Sequence, residues 1–376
     1  MHIVHVGTSR LPVLSTHGGA IERRIREVAA MQVVRGHEVT VFSLGDVDRV
    51  VRHDGYTVQE LRCGVPYPGK HVQFQIRSVR KIMRSSPRPG VIHFHSQPEG
   101  AVIALPSGMK TVLSYDFFKF RRAGSGLMHS LYRSMLRRFD LLLPVSQYCL
   151  HESQEYWGLP DRSFLVVPNG VSPQQFYPDP QAGMEERVRA GITGPALLYV
   201  GRICEQKGTD VLLQAYARIR AERPDISLVL AGPLEQFENT LDPHNWKARI
   251  EAAGAVYLGA VPDSRLRAVY NMAALFVMPT VREEMFCMAA VEAEACGVPV
   301  LASDHGGLKE VVPSTAGMRF TAGDPDALAG SAFSILAGTG TRNTLASGAL
   351  DNSRQYHWSR VCDQLDVVYR GSTERG

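Results

Sequence analysis

Short apolar segments alternate with amphipathic segments from the beginning of the chain. Residues 3–6 have the composition of a short buried strand, and residues 19–35 carry apolar side chains at the three- and four-residue spacing of a helix. A second apolar run, residues 39–42, follows directly. A strand, a helix and another apolar strand in this order are typical of a βαβ unit, so we predict a parallel sheet.

The same alternation continues along both halves of the chain. Further strands are predicted at residues 91–95, 111–114, 141–145, 165–167, 196–200, 227–231, 256–259, 275–278, 298–302 and 317–320. Residues 170–194 are rich in Pro and Gly, and we interpret them as a linker between two domains. Two doubly wound α/β domains are therefore predicted, with ligands at the carboxyl ends of their strands and in the cleft between them.

The composition narrows the class of protein. The chain has 376 residues, 44% of them hydrophobic and 21% charged, which excludes a disordered chain. A formal net charge of +4 is too balanced to indicate a nucleic-acid partner. The six cysteines form no C-x-x-C pair, so we expect no zinc site. We see neither a signal peptide nor an apolar run of 18 residues, and expect a cytoplasmic protein with free thiols.

A glycine pair opens the first predicted helix. Gly18 and Gly19 follow the loop after the first strand, and small residues there let a ligand approach the N–H groups at the positive end of the helix. The loop lacks the G-x-G-x-x-G pattern of dinucleotide-binding proteins. An ordinary turn is the alternative interpretation.

Two cations follow the first strand of the second domain. Arg202 and Lys207 lie five residues apart in a loop that ends at Gly208, before another predicted helix. A planar guanidinium and a compact ammonium at the carboxyl end of a strand suit a diphosphate. The alternative is a pair of solvated surface cations.

Two carboxylates flank an apolar segment later in the second domain. Glu284 and Glu292 are eight residues apart, and a helix beginning near Phe286 would place Glu292 about two turns inside it. A carboxylate among Ala and Val costs free energy unless it is paired or bonded. Sugar hydroxyls are suitable donors, and a buried salt bridge is the alternative.

These motifs together resemble the retaining glycosyltransferases of family 4. The resemblance rests on G-R-x4-K-G at residues 201–208, E-x7-E at 284–292 and A-C-G-V-P-V at 295–300, with weaker matches at 169–171, 259–261, 304–310 and 357–358. It implies the α/β GT-B fold, with two Rossmann-like doubly wound parallel-sheet domains facing a cleft and a C-terminal helix crossing back to the first domain. We assign residues 1–170 to an acceptor-binding domain, 171–355 to a nucleotide-sugar-binding domain and 356–376 to the returning helix.

The resemblance also implies roles for individual residues. Arg202 and Lys207 would hold the donor diphosphate, Glu284 would contact the transferred sugar and Glu292 the ribose hydroxyls. Further donor contacts are implied for Gly18, Gly19, Val261, Phe286, Cys287 and Met288.

Two departures from the family pattern concern the sugar and the acceptor. The family usually reads E-G-F-G where this chain has E-M-F-C at residues 284–287, which alters the sugar pocket. Tyr115 stands where relatives often carry a His, and Asp116 follows it. We predict acceptor contacts from His95, Tyr115 and Asp116, with Asp116 also an alternative catalytic base. For His95, a structural role is the competing interpretation.

The resemblance implies a UDP-sugar co-substrate, with UDP-N-acetylglucosamine as one candidate, and no cofactor. We expect no metal, because two cations already oppose the charge of the diphosphate. The D-x-D segments at residues 46–48 and 324–326 are interpreted as a loop and a helix start.

The sequence leaves the acceptor open. A small-molecule or glycan hydroxyl is expected, and an aminocyclitol of antibiotic biosynthesis is one candidate. Basic residues at 119–122 and 133–138 would suit an anionic acceptor or a membrane surface, but a solvated face is favoured. A nucleotide-sugar epimerase and a non-catalytic binding protein of surface polysaccharide assembly are the alternative functions.

Overall fold

The computed structural model describes residues 1–15, 19–66, 69–102, 108–115, 126–234 and 243–371. The chain divides into two compact units. Unit 1 comprises Met1–Asn169 together with Trp358–Gly376, and unit 2 comprises Gly170–His357. The C-terminal segment therefore belongs to the unit with which the chain begins.

Unit 1 is built on a seven-stranded sheet. Its strands are β1 (His2–Val6), β2 (Glu38–Leu44), β3 (Arg49–His53), β4 (Tyr56–Leu61), β5 (Val91–His95), β6 (Lys110–Tyr115) and β7 (Leu141–Pro144). The order across the sheet is β3-β4-β2-β1-β5-β6-β7. The chain runs from β1 to β2 on one side and returns through β5 on the other. The order therefore reverses between β1 and β5, the position at which such sheets bind ligands.

Helices cover the sheet of unit 1. They are α1 (Ala20–Val34), α2 (Gly69–Met83), α3 (Leu127–Leu136), α4 (Gln147–Trp157) and the C-terminal α13 (Trp358–Arg370). Helix α13 is fixed to the end of α1 by Arg35, whose guanidinium lies 2.8 Å from both Asp363 and Asp366. The observed return of the last helix follows from these contacts and from the apolar face of α13.

The sequence analysis missed an antiparallel hairpin at the edge of this sheet. Strand β3 pairs with β4 in antiparallel register, from Arg49 opposite Glu60 to His53 opposite Tyr56. Asp54 and Gly55 make the turn, both with positive φ, as a two-residue hairpin requires. The Asp-Gly pair was a usable signal, but the polar residues of β3 concealed the strand.

Unit 2 is built on a six-stranded parallel sheet. Its strands are β8 (Ala196–Val200), β9 (Ser227–Ala231), β10 (Val256–Tyr257), β11 (Leu275–Met278), β12 (Val300–Ser303) and β13 (Gly317–Phe320), in the order β10-β9-β8-β11-β12-β13. Its helices are α5 (Pro180–Arg189), α6 (Thr209–Glu222), α7 (Pro243–Ala252), α8 (Asp263–Asn271), α9 (Met288–Ala295), α10 (Leu308–Val311), α11 (Pro325–Leu336) and α12 (Thr339–Ser353). The order reverses between β8 and β11, so unit 2 repeats the plan of unit 1.

Two segments differ from the sequence-based expectation. Residues 165–167 form no strand: the amides of Leu165 and Val167 bond to carbonyls of β7, but Pro144 has no N–H to return. The expected linker contains helix α5, which begins where the Asp179 side chain accepts a hydrogen bond from the Ala182 amide, with Pro180 in the first turn.

The α/β fold class with two Rossmann-like units and a returning C-terminal helix is confirmed. The segment at 324–326 starts α11, with Asp324 capping the helix, and residues 46–48 lie in a loop, as expected. Within the described part of the chain, no helix combines the length and the apolar character needed to cross a membrane.

Candidate functional site

Polar side chains gather where the sheet of unit 2 reverses its strand order. Strands β8 and β11 are neighbours, and the segments that leave their carboxyl ends contain the predicted donor residues. Gln206 links the two segments, because its carbonyl accepts hydrogen bonds from the Thr280 hydroxyl at 3.1 Å and the Val281 amide at 3.3 Å. Residues about 75 positions apart in sequence are thereby brought to one place.

The loop after β8 is fixed by its own hydrogen bonds. The buried Tyr199 hydroxyl donates to the carbonyl oxygen of Arg202 at 2.6 Å, and the Thr209 hydroxyl donates to that of Cys204 at 3.1 Å. A single 3-10 turn, Glu205–Lys207, then leads through Gly208 into α6. This turn sets the position of the Lys207 side chain.

Gly208 is required by both its backbone angle and its surroundings. Its φ is 73°, and a Cβ there would lie 1.8 Å from the carbonyl oxygen of Pro279.

Gly323 has a similar φ of 80° with open space around it. We therefore expect Gly323→Ala to lower the free energy of unfolding by about 1 kcal/mol, and Gly208→Ala by about 3 kcal/mol or more. Urea unfolding of both variants measures the difference; equal losses would contradict the close packing at Gly208.

Lys207 and Glu284 form a salt bridge with a hydrogen bond. Their side chains are 22% and 20% exposed, so both are partly withdrawn from water yet open to a ligand. Burial lowers the pKa of Lys207, but the charge and hydrogen bond of Glu284 outweigh it and raise that pKa above its ordinary value. Lys207 therefore carries a full positive charge at neutral pH.

The segment carrying Glu284 is held by two glycines of a neighbouring loop. The amide of Gly307 donates to the carbonyl of Glu284 at 2.7 Å. A Cβ at Gly306 would lie 2.5 Å from the same carbonyl oxygen. Phe286 is buried edge-on against Tyr356, with ring centroids 5.3 Å apart. The backbone on either side of Glu284 is thus fixed, so its carboxylate is presented in a defined position.

Cys287 occupies a backbone conformation that favours glycine. Its φ is 77°, and it immediately precedes Met288, the first residue of α9. The side chain is buried, and burial, with the Glu284 charge, raises the pKa of its thiol. The thiol therefore stays protonated at neutral pH. Its side chain fills space that the glycine of the family pattern would leave empty.

Glu292 lies closer to the start of its helix than the sequence analysis expected. Because Cys287 has left-handed dihedrals, α9 begins at Met288, and Glu292 is little more than one turn inside it. Its carboxylate is buried and accepts a hydrogen bond from the Tyr270 hydroxyl at 2.7 Å. The buried carboxylate is stabilised by this hydrogen bond.

Sequence analysis missed a second buried carboxyl group on α9. Glu294 is fully buried, and its Oε2 accepts a hydrogen bond from Asn352 of α12 at 2.8 Å. Burial raises the pKa of Glu294 well above its ordinary value. The signal was present as a Glu between two Ala of an apolar helix. Glu294 ties α9, which carries Glu292, to α12.

The remaining predicted residues lie in several places. Val261 is in the loop between β10 and α8 of unit 2. Gly18 and Asp116 lie outside the described residues. Gly19, with φ of 96°, directly precedes α1 in unit 1. Tyr115 ends β6, and its buried hydroxyl donates to Ser153 Oγ at 2.6 Å.

His95 belongs to a buried cluster of three histidines in unit 1. His5 and His93 are direct partners on β1 and β5, and His95 lies two residues further along the same face. His5 Nδ1 lies 3.1 Å from His95 Nε2, and His5 Nε2 lies 2.8 Å from Gln32 Oε1. The Tyr369 hydroxyl of α13 lies 2.6 Å from His93 Nδ1.

The three imidazoles pack against one another, and His5 and His95 are joined by a hydrogen bond, whereas His93 bonds to Tyr369 and Ser114. One nitrogen of each lies within 4.8 Å of the others, a separation that would admit a metal ion. However, the rings of His93 and His95 are stacked with 19° between their planes, so their in-plane lone pairs do not converge. Burial lowers the pKa of all three, and the nearby Arg24 cation lowers it further. The cluster is therefore uncharged at neutral pH.

Comparison with known families gives two adjacent matches. Residues 18–175 match the model for "Glycosyltransferase Family 4", and residues 185–350 match that for "Glycosyl transferases group 1". Together the two matches include all the site residues predicted from the sequence.

Curated relatives have similar names. The chain is 31% identical over 222 residues to the lipopolysaccharide 1,2-N-acetylglucosaminetransferase of Salmonella typhimurium, covering 57% of each chain. It is 31% identical over 224 residues to the D-inositol 3-phosphate glycosyltransferase of Acidothermus cellulolyticus, covering 57% of this chain and 49% of that one. The alignments span about half the length of these curated relatives.

Solved structures share the fold over nearly the whole chain. Sucrose-phosphate synthase from Thermosynechococcus elongatus superposes with a TM-score of 0.82 at 20% identity, covering 98% of both chains. Anabaena HepE, solved in complex with UDP and glucose, gives 0.78 at 19% identity, covering 98% of this chain and 99% of the other. At these identities the comparison establishes the fold.

Proposed function

The chain belongs to the family-4 glycosyltransferases with the GT-B fold, and on this basis we propose that it transfers a sugar from a nucleotide diphosphate sugar to a hydroxyl group. The observation that carries the proposal is the partly exposed Lys207–Glu284 pair, held at the carboxyl end of β8 beside Arg202. The pair combines an ammonium group that can bind a phosphate with a carboxylate that can accept a hydrogen bond from a sugar hydroxyl.

The difficult step is departure of the nucleoside diphosphate from the anomeric carbon. Negative charge grows on the leaving phosphate while positive charge grows on the sugar. Arg202 and Lys207 would oppose the first charge from fixed positions, which costs little reorganisation during the reaction. Glu284 would bond the sugar near its 3-hydroxyl, and Glu292 would bond the ribose. These two cations supply the charge compensation, so the proposal includes no metal ion and no cofactor.

We propose retention of the anomeric configuration, with the acceptor attacking from the face that the diphosphate leaves. The leaving phosphate oxygen would take the acceptor proton, and Asp116 is the alternative base. Unchanged turnover of Asp116→Asn would exclude Asp116 from this role.

We propose UDP as the nucleotide of the donor. HepE, which shares the fold, has been crystallised with UDP, and a curated relative is named as an N-acetylglucosaminetransferase. UDP-N-acetylglucosamine is therefore the first donor to test. The buried Cys287 at the sugar-pocket segment is the feature of this chain that would alter sugar choice.

Acceptor recognition is proposed for unit 1, where Asp116 stays a predicted contact, whereas His95 and Tyr115 are buried and bond to His5 and Ser153. The proposed acceptor is a hydroxyl of a small molecule or glycan, and an aminocyclitol of antibiotic biosynthesis is the candidate. An epimerase and a non-catalytic binding protein are not favoured, because the matched relatives are named as transferases. The product distinguishes them: a transferase releases UDP and forms a new glycoside, whereas an epimerase returns an isomeric nucleotide sugar.

UDP is expected to stabilise the protein, and GDP, ADP and NAD to do so much less. A ligand that binds only the folded state adds about 2.7 kcal/mol at 100 times its Kd, which a thermal melt detects. Arg202→Ala should abolish most of the shift. Arg223→Ala is the matched control, because Arg223 is an exposed arginine of unit 2 paired only with Asp225 among its described contacts. Absence of any shift with UDP would contradict the proposed donor site.

A further inference from the structure

A second group of buried polar side chains lies where the sheet of unit 1 reverses its strand order. Ser9 follows β1, Gln97 follows β5, and His71 and Gln75 lie on α2. The exposed fractions are 3% for Ser9, 7% for Gln97 and 9% for His71, and Gln75 is fully buried. Side chains from three separate segments therefore converge at the carboxyl ends of the two central strands.

Hydrogen bonds join these side chains into one network. The Gln97 amide donates to Ser9 Oγ at 3.1 Å and to His71 Nδ1 at 2.9 Å, and Ser9 Oγ also contacts His71 Nδ1. Gln97 Oε1 accepts from the Ser9 amide at 3.3 Å and from Gln75 at 3.1 Å. Because His71 Nδ1 accepts from Gln97, the ring proton is on Nε2, and the network offers both donors and acceptors.

The charges around the network define the ligand that it can accept. All four side chains are uncharged in this arrangement, whereas a buried anion needs a cation or several donors to offset its lost hydration. A buried carboxylate beside the network disfavours an anion further: Glu22 is 3% exposed and accepts a hydrogen bond from Thr8, next to Ser9, at 2.6 Å. Arg10 follows Ser9, but its side chain is solvent-exposed, where a charge contributes little.

A purely structural role does not explain why these buried side chains are polar. Apolar side chains of the same volume would fill the sheet edge without the desolvation cost of two amides, a hydroxyl and an imidazole. Ser96, between His95 and Gln97, also has a positive φ of 58°. Strain of this kind costs free energy and concentrates at functional sites.

We propose that Ser9, His71 and Gln97 recognise the acceptor, and that the acceptor is a polyhydroxylated ring without an anionic group. This inference rests on the proposed transferase function and names the substrate class of its second site. A hydroxyl both donates and accepts, so it can exchange hydrogen bonds with this network without introducing charge. A neutral cyclitol or sugar and an aminocyclitol share this chemistry, and Glu22 would tolerate the amino group. The proposal separates this chain from relatives whose names specify inositol 3-phosphate.

The test compares three acceptors that have similar rings. Myo-inositol, the aminocyclitol 2-deoxystreptamine and inositol 3-phosphate are supplied with UDP-N-acetylglucosamine and other UDP-sugars, and transfer is measured as glycoside formed. We expect kcat/KM for one of the two non-anionic probes to exceed that for the phosphate by about tenfold or more. Preference between the first two probes identifies the source of the shared chemistry. Preference for the phosphate, or transfer to neither non-anionic probe by protein that binds UDP, would overturn the proposal.

Variants connect the preference to the named residues. Gln97→Leu and the milder Ser9→Ala should each raise the acceptor KM, by about tenfold for Gln97→Leu, with the donor KM unchanged. Ser78→Ala is the matched control, because Ser78 is equally buried on α2 and its hydroxyl bonds only to the Phe74 carbonyl among described contacts. An acceptor KM unchanged in both variants would overturn the assignment. Failure of the unsubstituted protein to bind UDP would instead overturn the proposed function.

Discussion

Replacing Lys207 by Met is expected to lower kcat by about 10²–10³-fold. Lys207 is the cation that Glu284 holds at the carboxyl end of β8, and its raised pKa keeps it charged throughout the neutral range. Met has a similar length but cannot oppose the negative charge that grows on the leaving phosphate. Initial-rate measurements of UDP release at saturating donor would give the effect directly.

Two further variants separate charge from packing. Lys207→Arg keeps the positive charge, but the planar guanidinium cannot occupy the position of the compact ammonium group. We therefore expect kcat between those of the unsubstituted protein and Lys207→Met. Lys247→Met removes an exposed lysine that pairs with Glu251 on α7, and it should leave kcat unchanged. If Lys207→Met and Lys247→Met had equal rates, the role of Lys207 in opposing the phosphate charge would be wrong.

Acidification from pH 7 to pH 5 is expected to destabilise unit 1 much more than unit 2. Burial lowers the pKa of His5 from 6.5 to about 4, and burial and neighbouring charges lower those of His93 and His95. In this pH interval the unfolded chain binds protons that the folded chain does not. The stabilisation is therefore complete above pH 6.5 and is lost as the pH falls toward 4. His5 alone accounts for about 2 kcal/mol between pH 7 and pH 5.

Hydrogen exchange followed by mass spectrometry resolves this effect by unit. Peptides from α1 and α13 should exchange faster at pH 5, after correction for the intrinsic rate, because Gln32 and Tyr369 bond to the histidine cluster. Peptides from α6 serve as the internal control in unit 2. His53→Gln is the matched variant, because His53 is a partly exposed histidine of unit 1 and should leave the acid response intact. Equal acceleration in both units would contradict the prediction.

The elements that the sequence predicted correctly are those with a repeated local pattern of apolar strands and amphipathic helices. Strands such as β8, β9 and β11 are continuous apolar runs between helical segments, because both faces of a parallel sheet are covered. Strand β3 lies at the sheet edge with exposed Arg49 and Val50, so it carries no such run. Helix α5 was missed because the signals of a helix start, Asp179 and Pro180, are also signals of a turn.

In the candidate site as well, local sequence patterns predicted some residues, whereas contacts between distant segments were missed. Arg202 and Lys207 were predicted from a glycine-flanked loop at the end of a strand, and Glu284 from its spacing to Glu292 across an apolar segment. The histidine cluster depends on the register between β1 and β5, which local sequence does not specify. Likewise, the pairing of Glu294 with Asn352 joins residues on separate helices.

The chain enters and leaves unit 2 through neighbouring residues, because Val171 bonds to Tyr356 and pairs with His357. Unit 2 is thus an insertion within the chain of unit 1, and the order of synthesis follows from that. A ribosome completes all of unit 2 before it makes α13, so unit 2 can fold while unit 1 still lacks its last helix. Until then Gln32 and His93 have no Tyr369 to bond, and the surface of α1 that receives α13 is uncovered. Of the two units, unit 1 is therefore the later one to acquire all of its helices.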